Sequence, residues 1–306
     1  MTDPLVWLPF SPEHLGEVPE GLRFEVVRPE PGEPLPQSAA EVEFYVPAYD
    51  MGAVDPELFA HLPRLRVVQT LSAGVDNIRS AVPAGVVLCN GRGIHDTSTA
   101  ELALTLTLAS LRGVPEFVRA QEAGEWRPER REALADKRVL ILGYGQIGAA
   151  IEARLLPFEV EVLRVARHAR ADVHAIEELP GLLPDVDVVI LIVPGTKETR
   201  HLVDEGFLRR MRPGALLVNL ARGSVVDHEA LADALDDGRI RAALDVTDPE
   251  PLPPGHRLWQ APNLLLTPHV GGASSAMWPR AHRVVRDQLE RFARGEPLEN
   301  QVTGEY

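Results

Sequence analysis

The residues Gly143-Tyr144-Gly145-Gln146-Ile147-Gly148 form a G-x-G-x-x-G turn. The apolar run Val139–Leu142 before it reads as a strand, and a helical pattern follows. In such a turn the first glycine permits the tight bend. The second lets a pyrophosphate approach the backbone, and the third lets helix pack on strand. Amides at the helix start then face the anion. The alternative is a glycine turn that binds nothing. The strand before, the helix after and the βαβ pattern beyond favour the dinucleotide.

An NAD site carries Asp or Glu about 20 residues past this turn, on the ribose 2′-hydroxyl. Here the next strand ends Leu163-Arg164-Val165-Ala166-Arg167-His168-Ala169-Arg170, with no acid. Arg167 and Arg170 would attract a 2′-phosphate that an acid would repel. The sequence therefore predicts NADP(H) as cofactor, with NAD a possible second choice. A solvated basic loop in an arginine-rich chain is the bland alternative.

Two more polar groups follow strand ends directly. Arg222-Gly223 comes after Ala215–Asn219, and His269 comes after Leu264–Thr267 and before Gly271-Gly272. Ligands bind at the carboxyl ends of strands in open α/β sheets. A guanidinium suits bidentate carboxylate recognition, and an imidazole can move a proton near neutral pH. Glu250 sits among prolines and alone reads as a solvated loop acid. No metal site is expected: no cysteine–histidine pattern or HExxH is present.

Alternating strands and helices must position these groups. From Arg138 onward strands are expected at Val139–Leu142, Val160–Val165, Val186–Val193, Ala215–Asn219, Ala242–Val246 and Leu264–Thr267. Helices are expected between them near Ile147–Leu156, Ile176–Leu183, Glu205–Met211 and Asp227–Asp237. This alternation implies right-handed crossovers and a parallel sheet. Residues 1–90 carry five more short apolar runs of the kind parallel sheets bury on both faces. A long helix is expected over Ala100–Leu111, capped by Asp96-Thr97-Ser98-Thr99. A second runs from Pro115 to about Gly124, before Trp126, and a last one from about Met277 to Gly295.

The 306 residues suffice for two domains. The net charge of −14 repels phosphate backbones, so neither nucleic acid nor an anionic membrane is an expected partner. No apolar run approaches the ~20 residues of a membrane span, and no signal peptide is expected at Met1–Pro4. Cys89 is the sole cysteine, which fits a reducing, cytoplasmic setting.

Three further segments specify more. They are Val218–Asp227 (VNLARGSVVD), Leu244–Pro253 (LDVTDPEPLP) and Leu266–Gly272 (LTPHVGG). With the glycine turn and Val193–Thr199 (VPGTKET), the chain resembles the D-isomer-specific 2-hydroxyacid dehydrogenases, most of all the glyoxylate/hydroxypyruvate reductases. The likeness covers nearly the whole chain. It implies an α/β fold of two doubly wound parallel-sheet domains. A Rossmann cofactor domain, 94–272, would be inserted in a flavodoxin-like substrate domain, 1–93 with 273–306.

The resemblance also implies roles. Arg222 would hold the substrate carboxylate and lean on its keto oxygen, His269 would protonate that oxygen, and Glu250 would orient His269. Ser72, Ala73 and Gly74 would offer the carboxylate their backbone amides. Asp245 would meet the nicotinamide carboxamide, Thr99 the cofactor side, and Pro194 the adenosine or pyrophosphate cleft. Gly143 to Gly148, Arg167, Arg170, Thr199, Ala221, His269 and Gly271 complete the implied cofactor contacts. The substrate would be a small 2-keto or D-2-hydroxy acid. Trp126 and the helix before it would pack two subunits into a homodimer. A dinucleotide-sensing, corepressor-like protein and an NAD-dependent dehydrogenase of another small acid remain alternatives.

Overall fold

A computed structural model describes residues 3–30, 32–49 and 55–303. Met1 and Thr2 of the N-terminal segment lie outside them. The chain divides into two compact units, Met1–His95 with Ser275–Tyr306, and Asp96–Ser274.

The first unit holds five strands: β1 (Leu5–Leu8), β2 (Arg23–Val26), β3 (Val42–Tyr45), β4 (Val67–Gln69) and β5 (Val87–Cys89). They pair in parallel in the order β2-β1-β3-β4-β5, the flavodoxin-like arrangement. Side chains alternate between two cores. In β1, Leu5 and Trp7 face one, while Val6 and Leu8 face the other. The helix Met277–Arg294 covers the second core with Met277, Ala281, Val285, Leu289 and Phe292, a stripe at helical spacing.

The second unit carries seven strands: β6 (Arg138–Leu142), β7 (Glu161–Ala166), β8 (His174–Ala175), β9 (Val188–Leu191), β10 (Leu216–Asn219), β11 (Arg241–Leu244) and β12 (Leu264–Leu266). All pair in parallel, in the order β12-β11-β10-β9-β6-β7-β8. Counted from β6, this is the 3-2-1-4-5-6 dinucleotide-binding order with one strand added. β6 is buried on both faces: Val139 and Ile141 enter one core, Leu140 and Leu142 the other. Both sheets match the expected doubly wound, parallel plan.

Details differ from the sequence reading. β8 was not expected, because it is two residues long and carries no apolar run. The long helix spans Asp96–Arg112, so Ser98 and Thr99 lie buried in its first turn rather than capping it. Only Leu179–Leu182 of the expected helix 176–183 is α-helical, with 3-10 turns on both sides; Pro180 in its first turn and Pro184 in the 3-10 turn after it have no amide to continue the bonding.

Candidate active site

β6 is the strand at which the order of the seven-stranded sheet reverses, and the glycine turn leaves its carboxyl end. Gly143 has φ 106°, and a Cβ there would lie 2.6 Å from the Ile192 carbonyl. The amides of Gly143 and Tyr144 both donate to Val165 O, at 2.9 and 3.0 Å, tying the turn to β7. The helix Gln146–Leu155 starts at once, with Ile147 and Gly148 in its first turn. No side chain caps it, and a Cβ on Gly145 would meet nothing within 4 Å. Open backbone before uncapped amides suits a pyrophosphate.

β7 ends at Ala166, so Arg167 and Arg170 stand just past its carboxyl end. Arg170 donates to the Tyr144 carbonyl and holds its guanidinium 5.8 Å from the Tyr144 ring centroid. Arg167 goes elsewhere, to Glu198 at 3.6 Å. On the other side of β6, Thr199 is buried and knots the loop after β9. Its hydroxyl donates to Pro194 O at 2.7 Å and accepts from the Thr196 amide at 2.8 Å.

Arg222, Asp245 and His269 follow β10, β11 and β12, three neighbouring parallel strands about 4.8 Å apart. Three relayed backbone bonds keep these ends level. Asp245 N donates to Asn219 O at 2.9 Å, Thr267 N to Leu244 O at 2.9 Å, and His269 N to Asp245 O at 2.7 Å. His269 adopts φ 52°, a left-handed conformation unusual outside glycine. Its Nδ1 lies 2.9 Å from Glu250 Oε1. A carboxylate only accepts, so Nδ1 carries a proton and Nε2 is left for acid–base work.

The Arg222 guanidinium donates to Ala221 O at 2.8 Å. Its stem lies against Gly195, where a Cβ would meet Arg222 Cγ at 2.9 Å. Asn219, fully buried, shapes this turn: Nδ2 donates to Arg222 O at 3.0 Å, and Oδ1 accepts from Ala221 N at 2.9 Å. The Asp245 carboxylate accepts from the Thr267 hydroxyl (2.6 Å), Val270 N (2.9 Å) and Gly271 N (2.8 Å). It thereby clamps the turn that carries His269. Thr99 reaches the same turn, its hydroxyl 3.4 Å from Gly271 O. Asn219 and Thr267 stand inside the quoted motifs, but the sequence reading gave them no role.

In the first unit, the carbonyls of the turn Leu71–Gly74 are all taken. Leu71 O lies 2.8 Å from His95 Nε2, and Ser72 O accepts from Gly91 N at 2.7 Å. Ala73 O accepts from Asn90 Nδ2 at 3.1 Å, and Gly74 O from the Ser72 hydroxyl at 2.8 Å. Asn90 and His95 were also missed: they act through backbone oxygens, which leave no motif. A cavity of about 740 Å³ within this unit reaches Ser72 and is lined by Tyr45, Tyr49 and Asn77.

Among the described residues no group of three or more His, Cys, Asp or Glu is placed to hold a metal ion. Nor, among the described residues, is any helix long and apolar enough to cross a membrane.

A glycine turn at the switch point of this strand order defines the dinucleotide-binding doubly wound class. The profile of the D-isomer specific 2-hydroxyacid dehydrogenase NAD binding domain matches residues 104–271. A glyoxylate reductase of Korarchaeum cryptofilum is 36% identical over 266 residues, covering 82% of this chain and 80% of that protein. A D-isomer specific 2-hydroxyacid dehydrogenase of Xanthobacter autotrophicus Py2, solved with NADPH and MES, superposes with a TM-score of 0.83. It is 32% identical, covering 99% of this chain and 98% of that one. An NADPH-dependent glyoxylate/hydroxypyruvate reductase of Sinorhizobium meliloti, solved with NADP and malonate, gives a TM-score of 0.82. The identity is 29%, with 98% and 97% covered. The chain belongs to the D-isomer-specific 2-hydroxyacid dehydrogenases.

Proposed function

We propose that this protein reduces a small 2-keto acid of the glyoxylate or hydroxypyruvate kind to the D-2-hydroxy acid, with NADPH preferred over NADH. The observation that carries the reading is the bonded pair Glu250–His269 on the row of strand ends that also bears Arg222. The relatives named glyoxylate reductase and NADPH-dependent glyoxylate/hydroxypyruvate reductase support the substrate class and the cofactor.

In this reading the unit 96–274 takes the dinucleotide. The turn Gly143–Gly148 receives the pyrophosphate. Arg170 would meet the 2′-phosphate, joined by Arg167 on release from Glu198, and Thr99, Pro194, Thr199, Ala221, Asp245 and Gly271 would line the remaining cofactor surface. When bound, the dihydronicotinamide supplies the hydride. Arg222 grips the substrate carboxylate through its planar fork and polarises the carbonyl. Ser72, Ala73 and Gly74 add backbone donors to that carboxylate. His269 delivers the Nε2 proton to the forming alkoxide and takes it back in the reverse direction. Glu250 holds Nδ1–H, which orients the ring and stabilises the imidazolium that donates from Nε2.

Oxidation of NADPH, followed by absorbance with a panel of 2-keto acids, tests the proposal. Turnover of glyoxylate or hydroxypyruvate is expected. Tight NADPH binding with no turnover on any of them would favour a sensing role instead.

A homodimer is also proposed. Val114 and Val118 on the helix Val114–Glu122 are exposed, and Trp126 just beyond is 94% exposed, apolar surface that a second copy would cover. A monomer by light scattering at micromolar concentration would remove that part. The lone buried thiol suits a cytoplasmic location.

A further inference from the structure

The glycine turn carries a tyrosine, and four contacts converge on it. The Tyr144 hydroxyl donates to Glu152, on the helix that follows the turn. Glu152 is only 6% exposed, and the same carboxylate takes the Arg164 fork, with Nε at 2.9 Å and Nη2 on its other oxygen. Arg164 also stands 5.8 Å from the Tyr144 ring centroid, as does Arg170. Arg170 donates in addition to the Tyr144 carbonyl. Beside Arg164, the Glu152 carboxyl is held below the usual carboxylate range, so it stays charged at neutral pH.

This arrangement sorts the three arginines around the turn. The Arg164 fork is spent on a buried carboxylate, and Arg167 reaches away to Glu198. Of the three, Arg170 is the one that donates to the backbone of the turn, at the Tyr144 carbonyl. Its own segment is closed by reciprocal backbone bonds, Arg170 N to Val173 O at 3.1 Å and Val173 N to Arg170 O at 2.9 Å. A long side chain on a surface loop loses much rotamer entropy when it grips a ligand. Fixing it beforehand, by an aromatic face and a carbonyl, removes part of that cost.

We propose that Tyr144 is a specificity-positioning residue. Anchored through Glu152 and Arg164, it holds Arg170 ready for the 2′-phosphate, so the phosphate turn itself sets the preference for NADP(H). This rests on the reading that Arg170 meets that phosphate. The anchor acts on one end of the nucleotide only. Its loss changes the discrimination between phosphorylated and unphosphorylated ribose rather than pyrophosphate binding in general.

The probes are 2′,5′-ADP and 5′-AMP, whose Kd values are measured by calorimetry on the full-length protein. R170M is expected to lower the preference for 2′,5′-ADP roughly tenfold or more, the scale of a lost charge-assisted phosphate contact. Y144L is expected to lower the same ratio about 5-fold, and the double variant no further than R170M alone, since the two act as one unit. The NADPH-to-NADH ratio of kcat/KM should move in parallel. If R170M leaves the ratio unchanged, the reading of Arg170 fails and the proposal with it. If R170M lowers it but Y144L weakens both probes equally, or neither, the proposal alone is overturned. Should Y144L not fold, Y144F removes only the hydroxyl anchored on Glu152. A fall in the ratio of about 3-fold supports the proposal, and an unchanged ratio overturns it.

Discussion

The Nδ1 atom of His269 lies 2.9 Å from Oε1 of Glu250, joining a loop acid after β11 to an imidazole after β12. With Nδ1 committed, Nε2 is the only ring nitrogen that can exchange a proton with substrate. H269A should lower kcat by about 10²–10⁴, the usual share of a general acid. Calorimetric NADPH affinity should hardly change. E250Q should cost less, about tenfold or more, because the imidazole remains but loses its charged orienter. An H269A variant with near-normal kcat would end this assignment.

Arg222 stands on the same row of strand ends, its fork built for a carboxylate. R222Q removes a charge-assisted bidentate contact of about 1.5–3 kcal/mol, which corresponds to a KM for the keto acid roughly 10- to 100-fold higher. R222K should recover only part of the loss, because an ammonium is a point charge without the fork. Steady-state kinetics on both variants separate these outcomes. Equal KM in wild type and R222Q would place the carboxylate elsewhere.

Gly223 allows the Arg222 turn to pass the loop after β11. A Cβ there would lie 1.9 Å from the Thr247 carbonyl oxygen and 2.0 Å from its carbon, so backbone must move. G223A should destabilise by at least about 1–3 kcal/mol, as overpacking does. It should also displace Arg222, lowering kcat/KM more than the fall in Tm explains. Thermal unfolding and kinetics of the one variant check both; a stable, fully active G223A would show that the loop yields.

Much of this was legible because glycine turns and strand ends write themselves into order and spacing. The run VLILGYGQIG gives strand, turn and helix in one line, and the strand order places it at the switch point. Glu250 is the opposite case. Nothing local distinguishes it from a solvated acid among prolines, and only the family pattern raised it before the 2.9 Å contact was seen. Asn90, His95 and Asn219 stayed hidden because their work is to hold backbone oxygens in turns distant in sequence. Asp245 was expected to face the nicotinamide; its three bonds to the 267–271 segment were not visible from residue type alone.

His228 supplies a pH prediction. It caps no charge. Its Nδ1 lies against the Asp248 backbone, 2.9 Å from O and 3.2 Å from N, and its Nε2 is buried with no hydrogen-bond partner among the described residues. Burial pushes its pKa below the ordinary histidine value. The folded state therefore favours the neutral ring, while the unfolded chain takes up a proton below about pH 6.5. This contribution is fully present above that pH and is lost as pH falls toward the lower folded value. Denaturant unfolding of wild type between pH 7 and pH 5 should show stability falling with acid. H228N, which keeps a polar atom near Asp248 but cannot ionise, should show a shallower fall over the same window. Parallel curves for the two proteins would mean that other groups carry the acid sensitivity and that His228 titrates as it does in water.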